Sequence, residues 1–400
     1  MIILARNLIT GDGATLVKDG AVVVSKGKIR DVGSVQELTT RHPNERVIDY
    51  GDATILPGLF DMHVHLGYYY SQPDFNTYDD FLIAYYAAKQ AEIALTLGIT
   101  TLRDVSSPHN LCQRLRLAGE KGYVTIPRII HTDVGICMTG GHGHTDGIEE
   151  VDGVDNIRSA IRRQYRDGAD WIKLLTSHRS NIPEFTQEEL NAAVDECHRR
   201  NIKTAVHAGT QPSIEMCINA GFDTIEHGTF MTIEQAEQMT RNGQAWTPTI
   251  TAYTYLYEYC KKIEAEGGDL SNPITAAAAR DCAYFRPAAW AYRDNFKKLY
   301  DTGITVLAGS DMVLYGAPPL PINQELAYMV EYGITSLEAI RTATLNPAKV
   351  LGLAEVTGQL ARGLDADILV VEGDVAKDIT ALNNVKSVYL GGKLAYQGEI

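Results

Sequence analysis

Along the middle of this chain, short apolar runs alternate with stretches of helical periodicity, while both ends carry β patterning alone. The first 50 residues hold β-rich runs at 2–8, 20–25 and 28–32, separated by Gly-Asp-Gly and Lys-Gly-Lys turn signals. The last 40 residues return to this pattern at 367–371, 385–390 and 394–397, with a Gly391-Gly392-Lys393 turn between the last two runs. Neither block is large enough to fold alone, so residues 1–54 and 356–400 are expected to pair into one small β-sandwich.

Between them, strands are expected at 54–64, 100–105, 128–132, 171–175, 203–206, 224–226, 244–249 and 305–308, and helices at 78–97, 154–167, 187–199 and 287–302, among others. Eight strands with seven or more crossovers predict an α/β fold of the (β/α)₈ TIM-barrel type over residues 55–355. An open doubly wound sheet would more often show a glycine phosphate fingerprint after its first strand. Here the first strong strand ends in histidines instead.

His63 and His65 close the run Leu59-Phe60-Asp61-Met62-His63-Val64-His65. Residues two apart on a strand face the same way, so both imidazoles are expected to point into the barrel mouth, where an HxH pair suits a metal ion. His207 follows Lys203-Thr204-Ala205-Val206, and His227 follows Thr224-Ile225-Glu226. Singly, each could be a satisfied core histidine. Four histidines at strand C-termini of one barrel point to the rim where barrel active sites form.

Asp311 closes the eighth run, Ile304 to Ser310, and barrel closure would bring it beside His63 and His65. Its bland reading is a helix cap or loop acid. Its chemical reading is a metal ligand that also takes a proton from bound water. Lys173 stands between apolar neighbours in Trp171-Ile172-Lys173-Leu174-Leu175. A buried lysine is costly unless neutralised, so either it snorkels to the surface or its amine has taken up carbon dioxide to become a metal-bridging carbamate.

An HxH pair after strand one, a lysine on strand four, histidines on strands five and six and an aspartate on strand eight resemble the amidohydrolase superfamily, in its binuclear-zinc branch. The segments Thr139-Gly140-Gly141-His142-Gly143, Pro57 to His65, Leu337 to Ala348 and Gly363 to Val371 are most similar to its prolidase-like and imidazolonepropionase-like members. The resemblance spans essentially the whole chain. It implies that His63, His65 and Asp311 hold a buried zinc, His207 and His227 a more exposed one, and carboxylated Lys173 bridges the two. It further implies that hydroxide between the metals attacks a carbonyl and that His142 binds the substrate carbonyl or its oxyanion. Two departures fall on the pocket rather than the metal ligands. Thr176-Ser177-His178-Arg179-Ser180-Asn181 replaces a glycine-rich Ser-Gly-Gly stretch of relatives, and residues 314–323 replace a Pro-x-x-His-Gly segment.

Smaller signals are weighed against ordinary packing. His178 and Arg179 could clamp a substrate carboxylate, as a planar guanidinium matches one bidentately, or be exposed loop cations. His144 could share the pocket or be solvated. Tyr68-Tyr69-Tyr70 and Tyr253, Tyr255, Tyr257 and Tyr259 could line a pocket or an oligomer surface, or simply pack. Asp104 reads as a supporting acid.

Composition narrows the functions further. With 36 basic and 50 acidic side chains the net charge is −14 and no basic run occurs, which disfavours nucleic acid and anionic lipid as partners. No 18 apolar residues run together and the N-terminus lacks the features of a secretory leader, so the expectation is a cytoplasmic protein without a membrane span. Six cysteines without regular spacing read as buried thiols in a reducing compartment. The leading expectation is hydrolysis of an amide in a small molecule, a dipeptide of Xaa-Pro type or an N-acyl amino acid, by a possible homo-oligomer. Alternatives are a cyclic-amide hydrolase or heterocycle deaminase, against which Lys173 argues, and a barrel that binds without catalysing.

Overall fold

The expected strand 54–64 divides at Pro57-Gly58 into two strands that serve different sheets. Ala53–Pro57 joins the sheet formed by the chain ends, and Leu59–Val64 opens a parallel array. A Cβ at Gly58 would lie 2.2 Å from the Thr100 side chain, so only glycine lets the backbone pass this close between the two layers. The computed structural model describes all residues except 71, 73, 145–146, 178–180, 269–272, 314–315 and 399–400.

Eight strands of the array follow in chain order: β1 (Leu59–Val64), β2 (Ile99–Asp104), β3 (Arg128–His131), β4 (Trp171–Leu175), β5 (Lys203–Ala208), β6 (Thr224–His227), β7 (Ala245–Thr247) and β8 (Thr305–Val306). β1 to β3 pair in parallel, as do β4 to β8. Backbone hydrogen bonds span both seams between the two sheets. Asp170 N–H donates to His131 O at 2.9 Å, and on the other side Met62 N–H donates to Ala308 O at 2.9 Å and Asp311 N–H to His63 O at 2.8 Å. The second seam puts the chain after β8 directly against β1.

β1, β2, β4 and β6 are wholly buried, as strands covered on both faces are. The helices cover them through apolar stripes. In Val154–Arg166, Ile157, Ala160, Ile161 and Gln164 form the inward face, at helical spacing. Thr186 and Thr232 start Gln187–His198 and Ile233–Asn242 with capping boxes that satisfy the first free N–H groups. The helix expected at 287–302 instead runs from Pro273 to Tyr300, with Pro287 inside it. The alanine-rich run before Pro287 favours helix, and packing against Ile250–Glu266 outweighs the hydrogen bond that proline removes.

The strands of the two chain ends are joined in one hydrogen-bonded sheet. Ala53–Pro57 joins the two terminal blocks, since it pairs parallel with Ile2–Ile9 and antiparallel with Ile368–Glu372. Its own apolar cluster includes Leu8, Val22, Ile55, Ile368 and Val370. Cys112, Cys137, Cys197, Cys217 and Cys260 are buried, consistent with thiols used as small apolar side chains. Among the described residues no helix is long and apolar enough to cross a membrane.

Glu196 ties the helix Gln187–His198 to its neighbour. Arg158 and Arg162 donate to it from Val154–Arg166, and Arg200 adds a third guanidinium. Hydrogen bonds from Arg162 and Arg158 outweigh burial and hold its carboxyl down at about 2. A depressed folded pKa stabilises the fold above the unfolded value near 4.5 and loses that contribution as pH falls toward 2. Glu196→Gln is therefore expected to lower the thermal midpoint by about 2 °C at pH 7. That deficit should shrink as melting is repeated from pH 6 down to pH 3; a deficit unchanged across that range would contradict the assignment.

Candidate functional site

His63, on β1, and His65, the residue after its last, Val64, both lie at the C-terminal end of the array. The His63 Nδ1–H donates to Glu226 Oε2 at 2.8 Å, and the His65 Nδ1–H donates to the Ser106 carbonyl at 2.9 Å. Carboxylates and carbonyls only accept, so each bond places the ring proton on Nδ1 and leaves the Nε2 lone pair facing inward. The two Nε2 atoms meet Asp311 Oδ1 at 3.5 and 3.4 Å.

His227 arrives by a different route. Strict alternation would send neighbours Glu226 and His227 to opposite faces of β6, yet both reach this cluster. A φ of 65° at His227 breaks the extended backbone there. Its ring lies 5.0 Å from that of His63, and its Nδ1 bonds Thr249 Oγ1 at 2.7 Å. The Thr249 hydroxyl donates to the Pro248 carbonyl, so its oxygen accepts from His227 Nδ1–H, the ring nitrogen that also lies 3.8 Å from Asp311 Oδ2. Asp311 and Thr249 have φ of 45° and 55°. Three non-glycine residues in left-handed conformation around one centre mark stored strain, on the order of 1–3 kcal/mol each, which concentrates at functional sites.

His63, His227 and Asp311 offer ligand atoms all within 4.8 Å of one another, an arrangement able to hold a metal ion. The His207 ring stacks obliquely 4.2 Å from His227, and His142 lies 4.2 Å from His207 on its other side. Lys173 sits in the middle of β4, fully buried, and does not snorkel to the surface. Burial drives its amine down to about 8, while Glu226 and Asp311 act in the opposite sense.

The electrostatics suit cation binding. Burial pushes His63 and His227 well below the usual imidazole range, with Lys173 adding to the effect in both. Burial would also lower His65, but the Asp311 carboxylate raises it on balance. Burial would raise Asp311, yet His63, His65 and Lys173 hold its carboxyl below the ordinary value. Neutral His63 and His227 and an ionised Asp311 are the protonation states that a divalent cation needs, whereas His65 must give up the proton that Asp311 favours.

The sequence reading missed the support beneath this cluster. Glu226, with 0% exposure, accepts two hydrogen bonds from Arg103 at 2.8 Å and a third from Thr224 at 2.5 Å besides the one from His63. Arg103, equally buried, also donates to the Met62 carbonyl at 2.6 Å. The available signal was a base, Arg103, and an acid, Glu226, within segments expected to be buried strands, where they can be accommodated as partners. Asp61 was missed likewise; it accepts from the Ser310 backbone and hydroxyl at 2.9 and 2.5 Å and fastens β1 to the chain that carries Asp311. Asp104, read as a supporting acid, accepts from Leu66 N–H, Ser106 N–H and the Ser107 hydroxyl, and so fixes the turn after His65.

The remaining candidates take different places. His144 bonds the Gly141 carbonyl within its own loop. Tyr253 is buried, 5.5 Å from the His227 ring, and Tyr68 lies 6.3 Å from His65. His178 and Arg179 lie outside the described residues.

Comparison with known proteins adds a family. The amidohydrolase family model matches residues 54–395. An ochratoxinase of Aspergillus niger is 27% identical over 98% of this chain and 86% of its own length. An imidazolonepropionase of Geobacillus kaustophilus is 24% identical over 95% of this chain and 90% of its own. The crystal structure of a Xaa-Pro dipeptidase with bound methionine in its active site superposes with a TM-score of 0.86, at 30% identity over 99% of both chains.

Proposed function

Since this chain belongs to the amidohydrolase family, we propose that its eight-stranded array is a (β/α)₈ barrel whose mouth hydrolyses a C–N bond in a small amide, a dipeptide of Xaa-Pro type or an N-acyl amino acid. The observation that carries this reading is the convergence of the His63 and His65 Nε2 atoms on one oxygen of Asp311, with His227 in reach of the same point. The ligand set fits two zinc ions. His63, His65 and Asp311 would hold one, His207 and His227 the other, and Lys173, as a carbamate, would stand between them. The orientation of His63 and His65 by Glu226 and Ser106, which turns both Nε2 atoms toward Asp311, supports this fit. When bound, divalent metal supplies Lewis acidity, which brings water ionisation near neutral pH and polarises a carbonyl.

The remaining work falls to the chain itself. Asp311 takes the proton of the attacking water and returns it to the leaving nitrogen, a need set by the poor leaving ability of an amide anion. His142, stacked beside His207, faces the carbonyl oxygen and stabilises charge that develops there. Arg103 and Glu226 hold His63 in its tautomer throughout.

Lys173 separates this reading from a ring-opening or deaminating enzyme built around one metal. A lysine buried in the cluster, with its amine brought down to about 8, is neutral often enough to add carbon dioxide. Metal content of zinc-loaded protein is expected at two per chain for the parent and one for Lys173→Ala. One metal in the parent would remove the paired centre and favour the single-metal chemistry, and two metals in the variant would remove Lys173 as the group that holds the pair together.

A further inference from the structure

A cavity of about 250 Å³ opens beside His65, between the helix Asp80–Thr96 and the residues that follow Asp311. Whole-ligand pockets typically span about 300–1,000 Å³, so this space receives one substituent of a substrate rather than all of it. The helix contributes Tyr86, Gln90 and Ile93, whose spacing of four and three places them on one face. Met312 and Pro319 close the opposite wall, and Gln72 adds a second carboxamide. Among the described residues no aspartate, glutamate, lysine or arginine lines the cavity.

This lining discriminates by charge. An ionised side chain entering here would lose hydration and meet no aspartate, glutamate, lysine or arginine of the described lining. An aromatic ring would instead gain contact with Ile93, Pro319 and the polarisable Met312 sulfur. The polar groups are arranged for a neutral partner. The Gln72 Nε2–H donates to the Tyr86 hydroxyl at 3.4 Å, whereas the Gln90 carboxamide has no hydrogen-bond partner among the described residues. An amide offers both a donor and an acceptor, which suits a phenol or carboxamide on the incoming ring.

We propose that this cavity is the specificity pocket of the hydrolase, that it takes an uncharged aromatic substituent next to the scissile amide, and that Gln90 sets the choice. The proposal rests on the amide-hydrolase reading above. Val64, His65 and Leu66 line the cavity, so a ring seated there lies next to one of the histidines assigned to the reacting centre.

The test is a set of dipeptides, Xaa-Ala and Ala-Xaa with Xaa as Phe, Tyr, Lys or Glu, turned over by the zinc-loaded parent, Gln90→Leu and Gln90→Glu. At one flank the parent is expected to prefer Tyr and Phe over Lys and Glu by about tenfold or more, the equivalent of one hydrogen bond or a stranded charge. Gln90→Leu should lower Tyr relative to Phe through KM, and Gln90→Glu should shift preference toward Lys. Preference for Lys or Glu in the parent, or a preference that neither variant moves, would overturn the proposal. Calorimetric titration with 4-hydroxyphenylacetamide separates pocket from reaction. Binding by the parent that weakens in Gln90→Leu supports the pocket even if no dipeptide is cleaved, in which case it is the amide-hydrolase reading that fails; absence of binding, or equal binding by both proteins, overturns the pocket.

Discussion

Replacing Asp311 with asparagine is expected to lower kcat by about 10²–10⁴-fold, the range that a positioned acid–base group contributes. Asparagine keeps the size and one carbonyl oxygen but cannot accept and return a proton near neutral pH. The substitution is also gentle on the backbone. Asp311 sits at φ 45°, a conformation that asparagine tolerates as readily as aspartate and most other residues do not. The thermal midpoint should therefore stay close to that of the parent, so loss of turnover reports chemistry rather than unfolding. A variant that retains kcat within threefold would show that another group carries the proton.

Arg103→Met is expected to cost stability rather than chemistry, by about 3–5 kcal/mol, as for other buried ion pairs broken on one side. The change leaves Glu226 at 0% exposure with a carboxylate that has lost both guanidinium hydrogen bonds. Burial by itself raises the Glu226 carboxyl, and Arg103 is first among the groups that hold it down, followed by Lys173. Since Glu226 orients His63, metal affinity should also fall, by about 10–100-fold. Urea unfolding and zinc titration of the same variant read the two effects. A stability loss under 1 kcal/mol would mean that the pair is not the support it is taken to be.

The residues that reach the mouth were legible in the sequence because their chemistry coincides with strand ends. His63 and His65 are two residues apart, and His207, His227 and Asp311 each close a segment expected to be a strand. What was not legible depends on geometry that a pattern cannot carry. Glu226 and His227 are adjacent yet meet in one cluster, which follows only once the backbone turns left-handed at His227. Arg103 and Glu226 lie on β2 and β6 and become partners only across the interior of the array. The division of the strand at Pro57-Gly58 is likewise set by how closely Thr100 approaches. The alternate tyrosines 253, 255, 257 and 259 look like a strand pattern, yet they lie on the helix Ile250–Glu266. There one of them turns inward toward His227 while tertiary packing overrides the local signal.

The most direct test of the account is to incubate zinc-loaded protein with a pool of dipeptides, N-acyl amino acids and cyclic amides and to follow the pool by mass spectrometry. The account predicts a substrate split into two fragments that together gain one water. A single product that has gained water would instead mean ring opening, and loss of ammonia would mean deamination; either would contradict cleavage of an open-chain amide at this centre.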